Sequence, residues 1–190
     1  MPPDLSLENK YQGEIIAGVD EAGRGPLSGP VFAGAVIVDR SYHIPCIDDS
    51  KKLSEAKREK LYEEIMKHYI CGVGVSSVEE INSLNILEAT KLACIRAVSA
   101  LKATPDIVLI DGNMRFENTN YISIIRGDQI SISIAAASII AKVSRDRLMQ
   151  ELSAEHPEYG WDRNKGYGTK SHLEAVKIHG RSVHHRNFNF

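Results

Sequence analysis

The sequence is short of sulfur chemistry: it has three cysteines, Cys46, Cys71 and Cys94, and none falls in a C-x-x-C spacing. An odd count without such a pair supports neither a cysteine zinc site nor a disulfide framework. Cys71 and Cys94 lie in apolar segments and read as buried small hydrophobes. Long hydrophobic runs are missing too. The opening stretch MPPDLSLENKYQ is polar, and no apolar stretch approaches about 18 residues without a charged or polar break. No membrane association and a cytoplasmic location are therefore expected. There are no internal repeats and no low-complexity segments. A strong basic excess is also lacking: the formal net charge is −2, which on its own argues against a dedicated nucleic-acid binder.

What is present suits one domain with a full core. With 190 residues, 43% of them hydrophobic, the chain can fill one core better than two. Residues 1–13 read as a flexible N-terminal arm and residues 14–190 as the domain, with a monomer expected. Charge is uneven along it. Residues 163–190 carry Arg163, Lys165, Lys170, Lys177, Arg181 and Arg186 against the single acid Glu174, together with His172, His179, His184 and His185. A basic end on a neutral chain fits either one surface facing a polyanion or a solvated tail.

Ile15–Val19 is an apolar run ending at Asp20, the pattern of a buried strand. GRGPLSGP follows as a turn, and Val31–Val38 is a second β-branched run. Ser54 is a fitting N-cap for EAKREKLYEEIMKHY, with Leu61, Ile65 and Tyr69 at helical spacing. Tyr69–Ser76 reads as a third strand. Residues 85–102 form an amphipathic helix with Ile86, Ala89, Leu92, Ala93 and Ala97 on one face, stopped before Pro105. Ile107–Ile110 is a strand ending at Asp111, and Tyr121–Ile125 another ending near Asp128. An alanine-rich helix over 132–153 is to be buried on most sides, and a last helix spans about 170–179. This order predicts an α/β fold with helices on both faces of a sheet.

Three apolar strands thus end in acids: Asp20, Asp111 and Asp128, with Glu21 following the first. Ligand sites in open α/β sheets gather at strand ends. Carboxylates converging there repel one another unless a cation compensates, and hard oxygen donors suit Mg2+ or Mn2+. Neighbouring strand residues point to opposite faces, so Asp20 and Glu21 share a site only if the strand ends there, as the following Gly23-Arg24-Gly25 suggests. Otherwise Glu21 offers its backbone carbonyl. Taken singly, each acid is equally an ordinary turn residue.

Other segments bear on ligand contact. Gly23 and Gly25 let backbone amides approach a ligand, and Arg24 adds a donor fork for phosphate; a plain tight turn explains the same residues. No GK[ST] follows, so this is not a P-loop. Lys51 and Lys52 precede a helix start, where phosphate binds readily, or form a solvated loop. Tyr167, between Gly166 and Gly168, is either a packed lid or a ring exposed for stacking on a base or sugar.

Together these stretches resemble a known family. VDEAGRGPLSGP at 19–30, DSKKLS at 49–54, IDGN at 110–113, GD at 127–128, SIAAASIIAKVSRDRLM at 133–149 and NKGYGT at 164–169 are similar, in that order, to the motifs of bacterial type 2 ribonucleases H (ribonuclease HII), over residues 14–188. The resemblance implies a ribonuclease H-like fold, a central mixed β-sheet flanked by helices, with a C-terminal helical part. It implies catalytic metal ligands at Asp20, Glu21, Asp111 and Asp128, and Mg2+ or Mn2+ as cofactor. It implies that Gly23, Arg24 and Gly25 grip a ribose 2′-hydroxyl and nearby phosphate, that Tyr167 senses the same hydroxyl, that Lys51 and Lys52 contact phosphate, and that Ser138 and Lys142 lie near the substrate. Asp146 reads as structural. The implied substrates are RNA/DNA hybrids and DNA duplexes containing ribonucleotides, cut 5′ of the ribonucleotide to leave 5′-phosphate and 3′-hydroxyl ends. The chain departs from the pattern at Ser28, where alanine is usual, and at His185 and Asn187 near the C-terminus.

Overall fold

Residues 2–188 are described by the computed structural model. Five strands form one sheet in the order β3-β2-β1-β4-β5. β1 (Ile16–Ala22) runs antiparallel to β2 (Val31–Ile37), which runs antiparallel to β3 (Ile70–Ser76). On its other edge β1 pairs in parallel with β4 (Ile107–Asp111), and β4 with β5 (Tyr121–Ile124). The helices are α1 (Glu55–His68), α2 (Val78–Leu84), α3 (Ile86–Ser99), α4 (Ile132–Glu155), α5 (Trp161–Asn164) and α6 (Lys170–His179).

The sheet is covered on both faces because its central strands are apolar on both. On one face, α4 and α1 bury Ile65, Ala136, Ile139 and Ile140 against Val36. On the other, Ala89, Ala93, Cys94 and Ala97 of α3 meet Val19, Ala33, Val108 and Ile110. Residues 132–141 of α4 are all buried, so its alanines set the distance to the sheet. The approach is close: a Cβ on Gly18 would stand 2.2 Å from the Ser133 carbonyl carbon. Cys94 is buried as expected. Cys71 is partly buried, and loss of water pushes its thiol up to about 12.

The sequence reading is corrected in four places. The N-terminal segment is docked, not free. Ile132 N donates to Asp4 O at 3.0 Å. The buried Glu8 carboxylate accepts from Ser131 Oγ (2.6 Å), Ser133 Oγ (2.7 Å) and Ser133 N (3.0 Å), as an acid at a helix N-terminus should. α2 was not expected, although Ser77 and Glu80 form a reciprocal capping box ahead of it. β1 does not stop at Asp20 but pairs with β2 through Ala22. Asp128 does not end a strand. β5 stops at Ile124, Arg126 turns the chain in a left-handed conformation, and Asp128 sits in a 3₁₀ turn, Gly127–Gln129, leading into α4.

Candidate active site

The parallel register pairs Val19 with Ile110, so the next residues, Asp20 and Asp111, leave adjacent strands on the same face of the sheet. That face is the one α4 covers. Asp111 Oδ1 accepts from Gly127 N at 2.7 Å and from Asp128 N at 3.4 Å, which ties the third acid's turn to the strand end. Carboxylate oxygens of Asp20, Asp111 and Asp128 lie within 4.8 Å of one another. Residues far apart in sequence are therefore joined by one strand pairing and one turn.

Glu21 is not in this triplet. Because β1 continues, alternation turns its side chain to the opposite face, the side on which its β2 partner Ala33 packs against α3. Its Oε1 accepts from the Arg24 guanidinium at 3.2 Å, while its Oε2 is buried without a partner. Burial raises the Asp20 pKa well above the ordinary carboxylate range, and the charges of Glu21 and Asp111 add to this. Asp128 is raised by burial and then by Asp111 and Asp49. Glu21 is raised by burial in spite of Arg24. Lys51 is the nearby counter-charge. Burial works against its ammonium form, but Asp20, Asp49, Asp128 and Asp111 together leave its pKa raised.

These residues fit a hard divalent cation. The donors are all carboxylate oxygens, two of the three converging acids are buried, and Glu21, with an orphaned buried oxygen, lines the same cleft as Asp20. Ionised in such proximity they are costly until a cation offsets their charge.

Two clefts meet at the triplet. One, of about 210 Å³, is lined by Asp20, Glu21, Gly23, Arg24, Gly25, Ser50, Lys51, Lys142, Arg145 and Tyr167. The other, of about 440 Å³, is lined by Asp49, Lys51, Asp111, Gly112, Asn113, Ile125, Arg126, Asp128 and Gln129. Lys51 borders both. Most residues singled out in the sequence thus come together. Tyr167 is exposed, and its Cε1 would lie 3.5 Å from a Cβ on Gly25, so the ring stands beside the glycine turn. Lys142 reaches the cleft with its Nζ 2.8 Å from Asp146 Oδ1. Lys52 stands apart, exposed and 2.9 Å from Asp48. Ser138 is buried. Its Oγ accepts from Ser50 N at 3.2 Å and donates to Ala135 O at 2.8 Å, so it fixes the lysine loop to α4 instead of facing a ligand.

Sequence reasoning missed the residues that hold the glycine turn. Gly23 has φ +99°, and a Cβ there would stand 2.9 Å from Pro30 O. Buried Arg145 donates to the carbonyls of Pro30, Lys165 and Ser28 at 2.9–3.1 Å. Buried Arg186 donates to Gly29 O (2.9 Å), Arg24 O (3.0 Å) and Gly23 O (2.5 Å). Arg186 belongs to the basic C-terminal stretch, yet it faces backbone carbonyls, and burial holds its pKa down to about 10. Next to it, His185 is buried with its Nε2 3.1 Å from His172 Nε2. Burial, then the His172 neighbour, brings the His185 pKa down to about 4. A histidine lowered on folding stabilises the fold fully above the unfolded value near 6.5, and that contribution is lost as pH falls from there through 4. An imidazole NMR titration should place the native His185 midpoint near 4; a midpoint at 6 or above would contradict the packing described.

The comparisons with known proteins agree with this geometry. The model of the Ribonuclease HII family matches residues 17–188. Ribonuclease HII of Orientia tsutsugamushi (strain Ikeda) is 59% identical over 186 residues, covering 98% of this chain and 91% of that protein. Among solved structures, ribonuclease HII of Archaeoglobus fulgidus, determined in complex with PCNA, superposes with a TM-score of 0.74 at 27% identity over 90% of this chain and 93% of its own. Ribonuclease H2 of Pyrococcus horikoshii OT3 gives a TM-score of 0.70 at 29% identity over 88% and 89%. With the family match spanning nearly the whole chain and the sheet and acids in place, the chain belongs to the ribonuclease HII family of metal-dependent ribonuclease H enzymes.

Proposed function

We propose that this chain is an endoribonuclease that cuts the RNA strand of RNA/DNA hybrids and incises duplex DNA on the 5′ side of single ribonucleotides, leaving 5′-phosphate and 3′-hydroxyl ends. The observation that carries this reading is the triplet Asp20, Asp111 and Asp128 at the junction of two clefts, one of them rimmed by the glycine turn and Tyr167.

Asp20, Asp111 and Asp128 would hold Mg2+ or Mn2+, with Glu21 completing the set from the neighbouring face. When bound there, two such ions would supply a water of lowered pKa as nucleophile and charge stabilisation for the departing 3′-oxygen. The chain's own residues position the substrate. Backbone groups of Gly23, Arg24 and Gly25 take the ribose 2′-hydroxyl, the group that separates RNA from DNA. The Arg24 guanidinium and the Lys51 and Lys52 ammoniums take phosphates, and Lys142 lines the same cleft. The Tyr167 ring stacks at the ribonucleotide and its hydroxyl meets the 2′-hydroxyl. Arg145 and Arg186 hold the carbonyls of the turn, so the amides stay aimed at the cleft. The enzyme acts as a monomer in the cytoplasm. No helix among the described residues is long and apolar enough to cross a membrane.

An end-labelled RNA/DNA hybrid tests the reading: internal cuts bearing 5′-phosphates are expected, and stepwise removal from an end overturns it. Tyr167→Phe should lower kcat/KM at a single ribonucleotide by roughly tenfold, the value of one lost hydrogen bond. Full preference for the junction in that variant would refute hydroxyl sensing by Tyr167.

A further inference from the structure

A second group of donors lies far from the acids. Glu155, the last residue of α4, His156 just after it and His184 of the C-terminal segment place one ligand atom each within 4.8 Å of one another. Counted along α4 from Ser138 beneath the lysine loop, Glu155 is about 25 Å away at 1.5 Å per residue. The hybrid-cutting site uses none of these residues.

We propose that Glu155, His156 and His184 form a site for a transition-metal ion of the Zn2+ class that fastens the C-terminal segment to the end of α4. The donor chemistry differs from that of the acid triplet. Two imidazoles and one carboxylate favour a borderline ion such as Zn2+, whereas three carboxylates favour Mg2+ or Mn2+. Bonds of about 2.1 Å at tetrahedral angles put donors about 3.4 Å apart, a closure within reach of side-chain rotation. The exposed Glu155 carboxylate is free to swing. His156 and His184 are half-buried, with ring centroids 5.6 Å apart, and His184 is braced edge-on by Trp161. His156 Nδ1 lies 3.3 Å from Glu158 Oε1, an outer carboxylate of the kind that orients a ligating histidine. Three protein donors leave the fourth tetrahedral position to water.

The site would act on the molecule through the backbone. Gly29 N donates to His184 O at 2.8 Å, and Ser28 bridges His185. Two residues beyond His184, Arg186 grips the glycine turn. An ion at His184 thereby ties α4 to the segment that holds Gly23 and Arg24.

Untagged full-length protein should be titrated with Zn2+ in millimolar Mg2+, a competitor for the proposed carboxylate site. Imidazole NMR and thermal melting report the result. One equivalent is expected to bind, with His156 and His184 resonances shifting and those of the exposed His179 staying in place. At a hundredfold excess over Kd, Tm should rise by several degrees. His184→Ala and His156→Ala should abolish the rise. Glu155→Gln, at an exposed position that cannot disturb folding, should weaken binding at least tenfold. Absence of saturable uptake, or uptake and melting shifts unchanged in Glu155→Gln and His184→Ala, overturns the proposal.

Discussion

Replacing Asp20 by asparagine is expected to remove cleavage, by at least about 10³-fold in kcat, while leaving hybrid affinity within a few-fold of the parent. Outer-shell changes around a metal site typically cost 10–100-fold, and Asp20 stands at the centre of the site: its carboxylate lies within the triplet and next to Glu21. Stability should move the other way. Burial and the charges of Glu21 and Asp111 raise the Asp20 pKa. A carboxylate whose folded pKa is raised costs stability progressively as pH climbs above its unfolded value near 3.9, and in full once pH passes the folded value. Without divalent ions at pH 7, the neutral asparagine should therefore melt higher than the parent. Lost activity with a raised Tm separates a chemical role from a folding defect, and normal cleavage in the variant would sink the metal-site assignment.

Arg186→Met should have the largest effect of any change outside the acids. Methionine keeps much of the volume and removes every donor. The carbonyls of Gly23, Arg24 and Gly29 are then left without the guanidinium. Unsatisfied buried carbonyls cost about 1–3 kcal/mol each, offset in part by release of a buried cation with no carboxylate partner. A net loss of about 3 kcal/mol, or roughly 8 °C in Tm for a chain of this size, is expected. At temperatures where the variant stays folded, kcat/KM on a single-ribonucleotide duplex should fall about 10²-fold, because the amides proposed to take the 2′-hydroxyl would lose their fixed position. Arg186→Lys should not restore it, since one ammonium cannot span three carbonyls. Wild-type kcat and KM in Arg186→Met would show that the turn holds its shape without the clamp.

Much of this was legible in the sequence where one side chain's chemistry and its neighbours decide the outcome. The β-branched runs become β1, β2 and β4, Ser54 caps α1, and the alanine run at 135–137 becomes the buried part of α4. Convergence of Asp20 and Asp111 was suggested by strand ends, but the parallel pairing that makes it, between segments some ninety residues apart, is tertiary information. Asp128 reaches the triplet through the left-handed Arg126 and a 3₁₀ turn, a backbone path that no hydrophobic period signals. Glu21 was assigned with Asp20 on the assumption that β1 ends there; β2 pairing through Ala22 keeps the alternation going and turns Glu21 to the other face. Ser138 and Arg186 show the same limit. A small polar residue in a helix motif and an arginine in a basic tail look available to a ligand until their partners, Ser50 N and the turn carbonyls, are known. For α2, the Ser77–Glu80 capping pattern was present and could have been read.

The converging carboxylates are expected to hold divalent ions for cleavage at a ribonucleotide. The most direct measurement is cleavage of a DNA duplex carrying one labelled ribonucleotide, with Mg2+, with Mn2+ and with chelator, against an all-DNA duplex and the Asp20→Asn variant. A metal-dependent cut just 5′ of the ribonucleotide, absent from both controls, is the predicted result. No cut with either ion, or an equal cut in chelator, would contradict it.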